Sequence, residues 1–160
     1  MAKNDKTNVM RMLEQAGVAY TPHSYPHGKE AVDGVTVARL LGLDPQRVFK
    51  TLVTRSASGG FCVFVIPAEA SLDLKKAARA AGEKSVELLH VAELQKITGY
   101  VRGGCSPIGM KKQFPTFFEE TAVLFDTILV SAGRIGAQVE ANGEALAALC
   151  GGTFASLTAD

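Results

Sequence analysis

Three groups of residues in this chain have the types and spacing to do chemistry. The first is the run from Gly99 to Lys112, which carries Gly99, Gly103, Gly104 and Gly109 with Pro107 and ends in Lys111 and Lys112. Glycine loses the most backbone freedom on ordering and proline donates no ladder hydrogen bond, so the run is expected to be a shaped loop, led in by a short strand over Tyr100–Arg102. Without Cβ atoms at Gly103 and Gly104 a ligand can approach the main chain and meet its N–H groups. Such donors beside two lysines can seat an anion, or a carbonyl oxygen about to become one. A tight turn between packed elements would use the same residues. The second group is Lys50, within the β-rich run Val48–Thr54. A period of two puts Lys50 on one face with Val48 and Leu52, so its ammonium lies among side chains that would otherwise bury. It either meets a partner there or snorkels to water at the sheet margin. The third is Ser131 with Gly133, where the strand Thr127–Ser131 runs into the glycine-bearing turn Ala132–Gly136.

No familiar nucleophile arrangement accompanies them. The sequence has no G-x-S-x-G elbow, HExxH pair, Walker loop or G-x-G-x-x-G after a strand. Cys105 lies in the glycine loop, where backbone N–H groups could lower a thiol pKa, but no histidine is paired with it and a small packed cysteine fits the same place. His23 and His27 fall in a polar stretch where solvated histidines are ordinary. The cysteines Cys62, Cys105 and Cys150 are widely separated, and with the three histidines they form no metal-ligand spacing. What remains is equipment for binding and polarising a carbonyl or phosphate.

These residues need elements to position them. A helix is expected over Asn4–Ala16, capped by Asn4 or Asp5 and closed by Gly17, followed by an edge strand within Val18–Tyr25. A short helix Thr36–Leu41 closes at Gly42, and Asp44-Pro45 restarts a turn. Val48–Thr54 and the apolar Phe61–Ile66 form a hairpin, the latter a central strand. Helices follow over Ser71–Ala81, started by Ser71 or Asp73 and with Lys75, Lys76 and Arg79 clustered on it, and over Val91–Thr98. Phe114–Phe118 and Ala122–Phe125 are short and partly apolar, Thr127–Ser131 is a clear strand with Ala137–Glu140 as its return, Asn142 caps a last helix to Leu149, and Thr153–Leu157 is a last strand or extended tail. Strands and helices mix without βαβ alternation, so the expected fold is a mixed α/β sheet with packed helices. At 160 residues, 47% hydrophobic and 21% charged, one domain over residues 1–160 is expected. No run is long enough to span a membrane and the start is polar, so a cytoplasmic location is expected. A formal net charge of +1 provides no global field for nucleic acid, so any such binding must rest on local patches.

The motifs Val48-Phe49-Lys50-Thr51-Leu52, Leu72-Asp73-Leu74-Lys75-Lys76, Thr98-Gly99-Tyr100, Gly103-Gly104-Cys105-Ser106-Pro107-Ile108-Gly109-x-Lys111-Lys112 and Val130-Ser131-x-Gly133 occur in an order that closely resembles the YbaK family of aminoacyl-tRNA deacylases. The resemblance covers nearly the whole chain, with His23-Ser24-Tyr25 fitting the same pattern. It implies a free-standing relative of the editing domain of some prolyl-tRNA synthetases, folded around a twisted, barrel-like mixed sheet. The implied activity is removal of cysteine from mischarged proline tRNA, or from cysteine tRNA. Such second sites are needed because a synthetase pocket cannot strongly reject a small near-isostere.

Carried over by position, Lys50, Gly103 and Gly104 are the catalytic candidates, and Tyr25, Thr51, Ser106, Pro107, Ser131 and Gly133 the substrate-binding ones. In the family the substrate's own thiol is thought to attack its ester, with the terminal ribose hydroxyl assisting, so no protein nucleophile is needed. The implied partners are the aminoacyl-tRNA acceptor end and a prolyl-tRNA synthetase, with no membrane, DNA, metal or cofactor. Two departures bear on selectivity: Ala31 or Val32 stands where an aromatic can rim the pocket, and Gln138 where an acidic residue can occur. A deacylase for alanine or serine using water, and a non-catalytic module that only holds tRNA or a synthetase, are the alternatives.

Overall fold

The computed structural model describes residues 6–28 and 32–159. Its elements run α1 (Asn8–Gln15), β1 (Tyr20–Ser24), α2 (Gly34–Leu41), a 3₁₀ turn (Pro45–Arg47), β2 (Phe49–Ser56), β3 (Phe61–Pro67), α3 (Leu74–Ala81), β4 (Val86–Leu88) and α4 (Val91–Thr98). After the long loop come β5 (Thr116–Glu119), a second 3₁₀ turn (Glu120–Leu124), β6 (Ile128–Ser131), β7 (Ala137–Ala141), α5 (Gly143–Cys150) and β8 (Thr153–Ala155).

The mixed α/β reading holds, and the strands form two sheets, β1-β7-β6 and β4-β2-β3-β5-β8. The β2–β3 hairpin is antiparallel and β3 is central, whereas β3–β5 and β5–β8 pair in parallel. The sheets meet through a parallel bridge between Val48 and Leu129 and do not close, which corrects the barrel-like expectation. Val63 and Val65 on one face of β3 pack with α1, α5, β6 and β7 in the main core. Cys62, Phe64 and Ile66 on the other face pack against Ala77 and Ala78 of α3. Ala38, Val48 and Leu129 form a third cluster that locks α2 onto the junction.

Local chemistry sets the helix ends. Thr7 caps α1, its Oγ1 accepting from the Met10 N–H at 3.3 Å, while Asn4 and Asp5 lie outside the described residues. The Asp73 carboxylate caps α3 by accepting from Lys75 and Lys76 amides, so of the two expected starts the helix uses Asp73. One further expectation changes, and one undecided span is assigned. Tyr100–Arg102 is a turn rather than a strand, because the Gly104 N–H donates to the Val101 carbonyl at 3.0 Å and folds the chain back. The span Ala122–Phe125 is mostly 3₁₀, since the buried Glu119 carboxylate accepts from the Thr121 amide and ends β5.

Candidate active site

A cleft of about 90 Å³ opens where the two sheets meet, among the end of β1, the start of α2, the start of β2, the glycine loop and the β6–β7 hairpin. Lys50 and Thr51 enter it from β2, Tyr25 from just beyond β1, Ser131 from the end of β6, Gln138 from β7 and Gly103 from the loop. Register explains Lys50. Opposite Ile66, on the face that Leu52 shares through Phe64, it is half-buried, and that burial lowers its pKa below the ordinary lysine value. Among the described residues its ammonium has no hydrogen-bond or ion-pair partner. The Tyr25 hydroxyl, Thr51 Oγ1 and Gln138 Oε1 are buried and likewise lack hydrogen-bond partners among the described residues. Buried polar atoms are nearly always paired in proteins, so three such atoms around one cleft, beside an unpaired lysine, mark a place built for a polar guest.

The two glycine-bearing loops brace each other. A Cβ on Gly104 would lie 2.9 Å from the Arg134 Cα, so the loops touch backbone to backbone. Tyr100 ties them further, its hydroxyl donating to the Ile108 carbonyl at 2.5 Å while its ring lies against Gly133, where a Cβ would come within 3.3 Å. Gly103 and Gly133 take φ of +86° and +105°, which a side chain would strain. Ser131 Oγ accepts from the Gly133 N–H at 3.1 Å. The chain therefore brings Tyr25, Lys50, Thr51, Gly103 and Ser131 together at the cleft, and Gly104, Ser106, Pro107 and Gly133 do not line it. Gly104 has its N–H committed to Val101, and fully buried Ser106 accepts from the Ile108 N–H within the loop at 3.4 Å. These residues shape the loops that present Gly103.

Residues outside the catalytic and substrate-binding candidates complete the wall: Gly34, Val37, Val48, Phe49 and Cys105. Gly34 carried a readable reason in no motif, since its need comes from Ala68, whose Cβ would sit 2.1 Å from one on Gly34. Val32 lines the cleft, while Ala31 lies outside the described residues. Cys105 is buried and its thiol is pushed up to about 12 by that burial, so it is a wall and no nucleophile. His23 and His27 do not line the cleft. His23 Nε2 lies 2.8 Å from Glu140 Oε1, and Arg47 and Thr127 both donate to Glu140 Oε2 at 2.6 Å. Hydrogen bonds from Thr127, then His23, then Arg47 hold the Glu140 carboxyl down to about 2. This cluster ties β1 and β7 to the 3₁₀ turn that leads into β2.

Residues 29–149 match the model of the family described as the aminoacyl-tRNA editing domain. A curated protein of Enterococcus faecalis, provisionally named Cys-tRNA(Pro)/Cys-tRNA(Cys) deacylase EbsC, is 49% identical over 153 residues, covering 96% of this chain and 93% of its own length. A crystal structure titled as a candidate trans-editing enzyme for prolyl-tRNA synthetase superposes with a TM-score of 0.80 at 23% identity, covering 96% of this chain and 99% of that one. That of hypothetical protein APE2540 superposes with a TM-score of 0.85 at 22% identity, over 96% and 100% of the two chains. At such identities these structures speak for the fold alone.

Proposed function

Because this chain belongs to the aminoacyl-tRNA editing-domain family, we propose that it is a deacylase that clears cysteine from mischarged tRNA(Pro), and from tRNA(Cys), acting in trans to a prolyl-tRNA synthetase. The observation that carries the proposal is the cleft itself: an unpaired, half-buried lysine and three unpartnered polar atoms, with no histidine or carboxylate among its described walls to activate Thr51, Cys105 or Ser131 as a nucleophile. A volume of about 90 Å³ takes one small amino-acid side chain and leaves the ribose at the mouth.

In the proposed reaction the Lys50 ammonium and the Gly103 N–H draw charge onto the ester carbonyl oxygen, and removal of one such donor typically costs about 10²–10³ in rate. The substrate's thiol sulfur forms a bond to its own carbonyl carbon. The carbon–oxygen ester bond breaks, and the thiol proton ends on the ribose oxygen that leaves with the tRNA. Cysteine departs as a four-membered thiolactone, which water opens. Holding thiol and carbonyl in a reactive geometry is the site's principal task.

The decay of purified cysteinyl-tRNA(Pro) and alanyl-tRNA(Pro) tests this, with wild-type protein and Lys50→Ala. Rapid loss of the cysteinyl ester alone, abolished by the substitution, is the expected result. Equal loss of the alanyl ester would replace the substrate thiol by water. No acceleration of either, with tRNA still bound, would leave a binding module.

A further inference from the structure

Charge in this protein is unevenly distributed. Residues 94–118 hold Lys96, Arg102, Lys111 and Lys112 and no carboxylate, in a chain whose formal net charge is +1. The acid just before them, Glu93, is engaged by Arg55 through its Oε2 at 2.5 Å. Arg102, Lys111 and Lys112 are exposed, and the same segment sends Gly103 and Cys105 into the cleft. Lys111 is held in place at the end of α4: its ammonium donates to the Lys96 carbonyl at 3.3 Å, and its stem crosses Gly99, where a Cβ would lie 3.2 Å from the Lys111 Cγ. Arg102 is covalently next to the residue that faces the ester. The other cation group, Lys75 and Arg79, lies on α3, an element that supplies no residue to the cleft, whereas the loop that carries Arg102, Lys111 and Lys112 supplies Gly103 and Cys105.

We propose that the 99–112 loop is the track for the phosphates of the tRNA's single-stranded acceptor end, with Arg102, Lys111 and Lys112 as its contacts; this rests on the deacylase reading above. The terminal ester and the phosphates immediately behind it are fixed in spacing by the nucleic acid, so one rigid loop that carries both Gly103 and the cations sets the register of the ester in the cleft. Contacts of this kind bind by releasing counterions and carry no sequence information.

Binding of uncharged, fluorescently labelled tRNA(Pro) across a salt series separates this inference from catalysis. Each neutralisation, Arg102→Gln, Lys111→Gln and Lys112→Gln, should weaken binding at low salt and reduce the slope of log affinity against log salt by about 0.7, and the triple variant by about 2. The double variant Lys75→Gln/Arg79→Gln should bind as wild type does. A triple variant that keeps its thermal unfolding profile, affinity and salt slope would overturn the track, as would an equal loss in the α3 double. Wild-type protein that binds with the expected slope yet leaves cysteinyl-tRNA(Pro) intact would sink the deacylase reading and keep the track.

Discussion

Gly104→Ala probes the contact on which the cleft depends. The added Cβ would sit 2.9 Å from the Arg134 Cα and 3.1 Å from both the Arg134 carbonyl carbon and the Ile135 nitrogen. Carbon atoms in good contact are about 3.5–4.0 Å apart, so the two loops must separate by about 0.5–1 Å. No side-chain rotation can absorb the strain, because the obstacle is main chain. That main chain is itself pinned, with the Ala132 N–H donating to the Ala137 carbonyl at 3.0 Å and the Gly133 N–H to Ser131 Oγ at 3.1 Å. Overpacking of this kind costs about 1–3 kcal/mol. In a chain of this size each kcal/mol lowers the melting temperature by about 2–4 °C. Gly103 is carried away from the cleft with its neighbour, and a misplacement near 1 Å costs about 10² in rate.

Alanine keeps its N–H, so a loss of rate reports displacement of the loop and no lost donor. Gly60→Ala is the control, since a Cβ there meets nothing within 4 Å. Single-turnover deacylation of cysteinyl-tRNA(Pro) and thermal unfolding should both fall for Gly104→Ala and stay near wild type for Gly60→Ala. Equal behaviour of the two variants would refute the claim that backbone contact between the loops positions Gly103.

Burial lowers the Lys50 pKa, so the folded state disfavours its charge and stability rises with pH from below that lowered value to the ordinary value of 10.5. Lys50→Met removes the penalty at neutral pH: the variant should melt above wild type while losing deacylation, and a lower melting temperature would count against the desolvated lysine. The Glu140 carboxyl is held down from 4.5 to about 2, so its contribution is complete above pH 4.5 and lost as pH falls to about 2. Unscreened, that shift is worth ~3 kcal/mol, and solvent at the partly exposed cluster reduces it to about 1–2 kcal/mol. Urea midpoints for wild type and Glu140→Gln should therefore converge across that window, and parallel curves would exclude the linkage. With its thiol pushed up to about 12, Cys105 at pH 8 is thiolate in about one molecule in 10⁴, so iodoacetamide should leave activity intact.

Local signals carried much of the architecture. Gly42, Gly82, Gly99 and Gly151 end helices in left-handed conformation where the sequence led one to expect, and the alternation in Phe49–Ser56 against the apolar Phe61–Pro67 set a hairpin whose register fixes Lys50. Signals that depend on distant partners were silent. Val86–Leu88 is a strand only because Thr54, Arg55 and Ser56 offer it an edge. The Gly99–Lys112 loop could be read as shaped, yet which glycine faces the cleft is decided by Arg134, thirty positions further along the chain. Gln138 was marked in the sequence only as standing where an acidic residue can occur, and it reaches the cleft because β7 pairs it with Ser131.

Selectivity in such a site has to come from chemistry more than from shape. An apolar pocket distinguishes a missing or added small group by only ~1–3 kcal/mol, so a cleft of about 90 Å³ that admits a cysteinyl side chain admits alanyl and seryl ones nearly as well. In the proposed mechanism Tyr25, Thr51, Gln138 and Lys50 hold the groups common to every aminoacyl ester, and none of them serves as the nucleophile. A thiol ionises near pH 8.5 and attacks a polarised carbonyl, a methyl group cannot, and an alcohol ionises far too weakly to compete. Leaving the nucleophile to the substrate, as proposed here, would turn a poor discrimination in binding into a strong one in rate. Two interlocked glycine loops that present Gly103, beside a buried Cys105, are what such a mechanism requires of the chain.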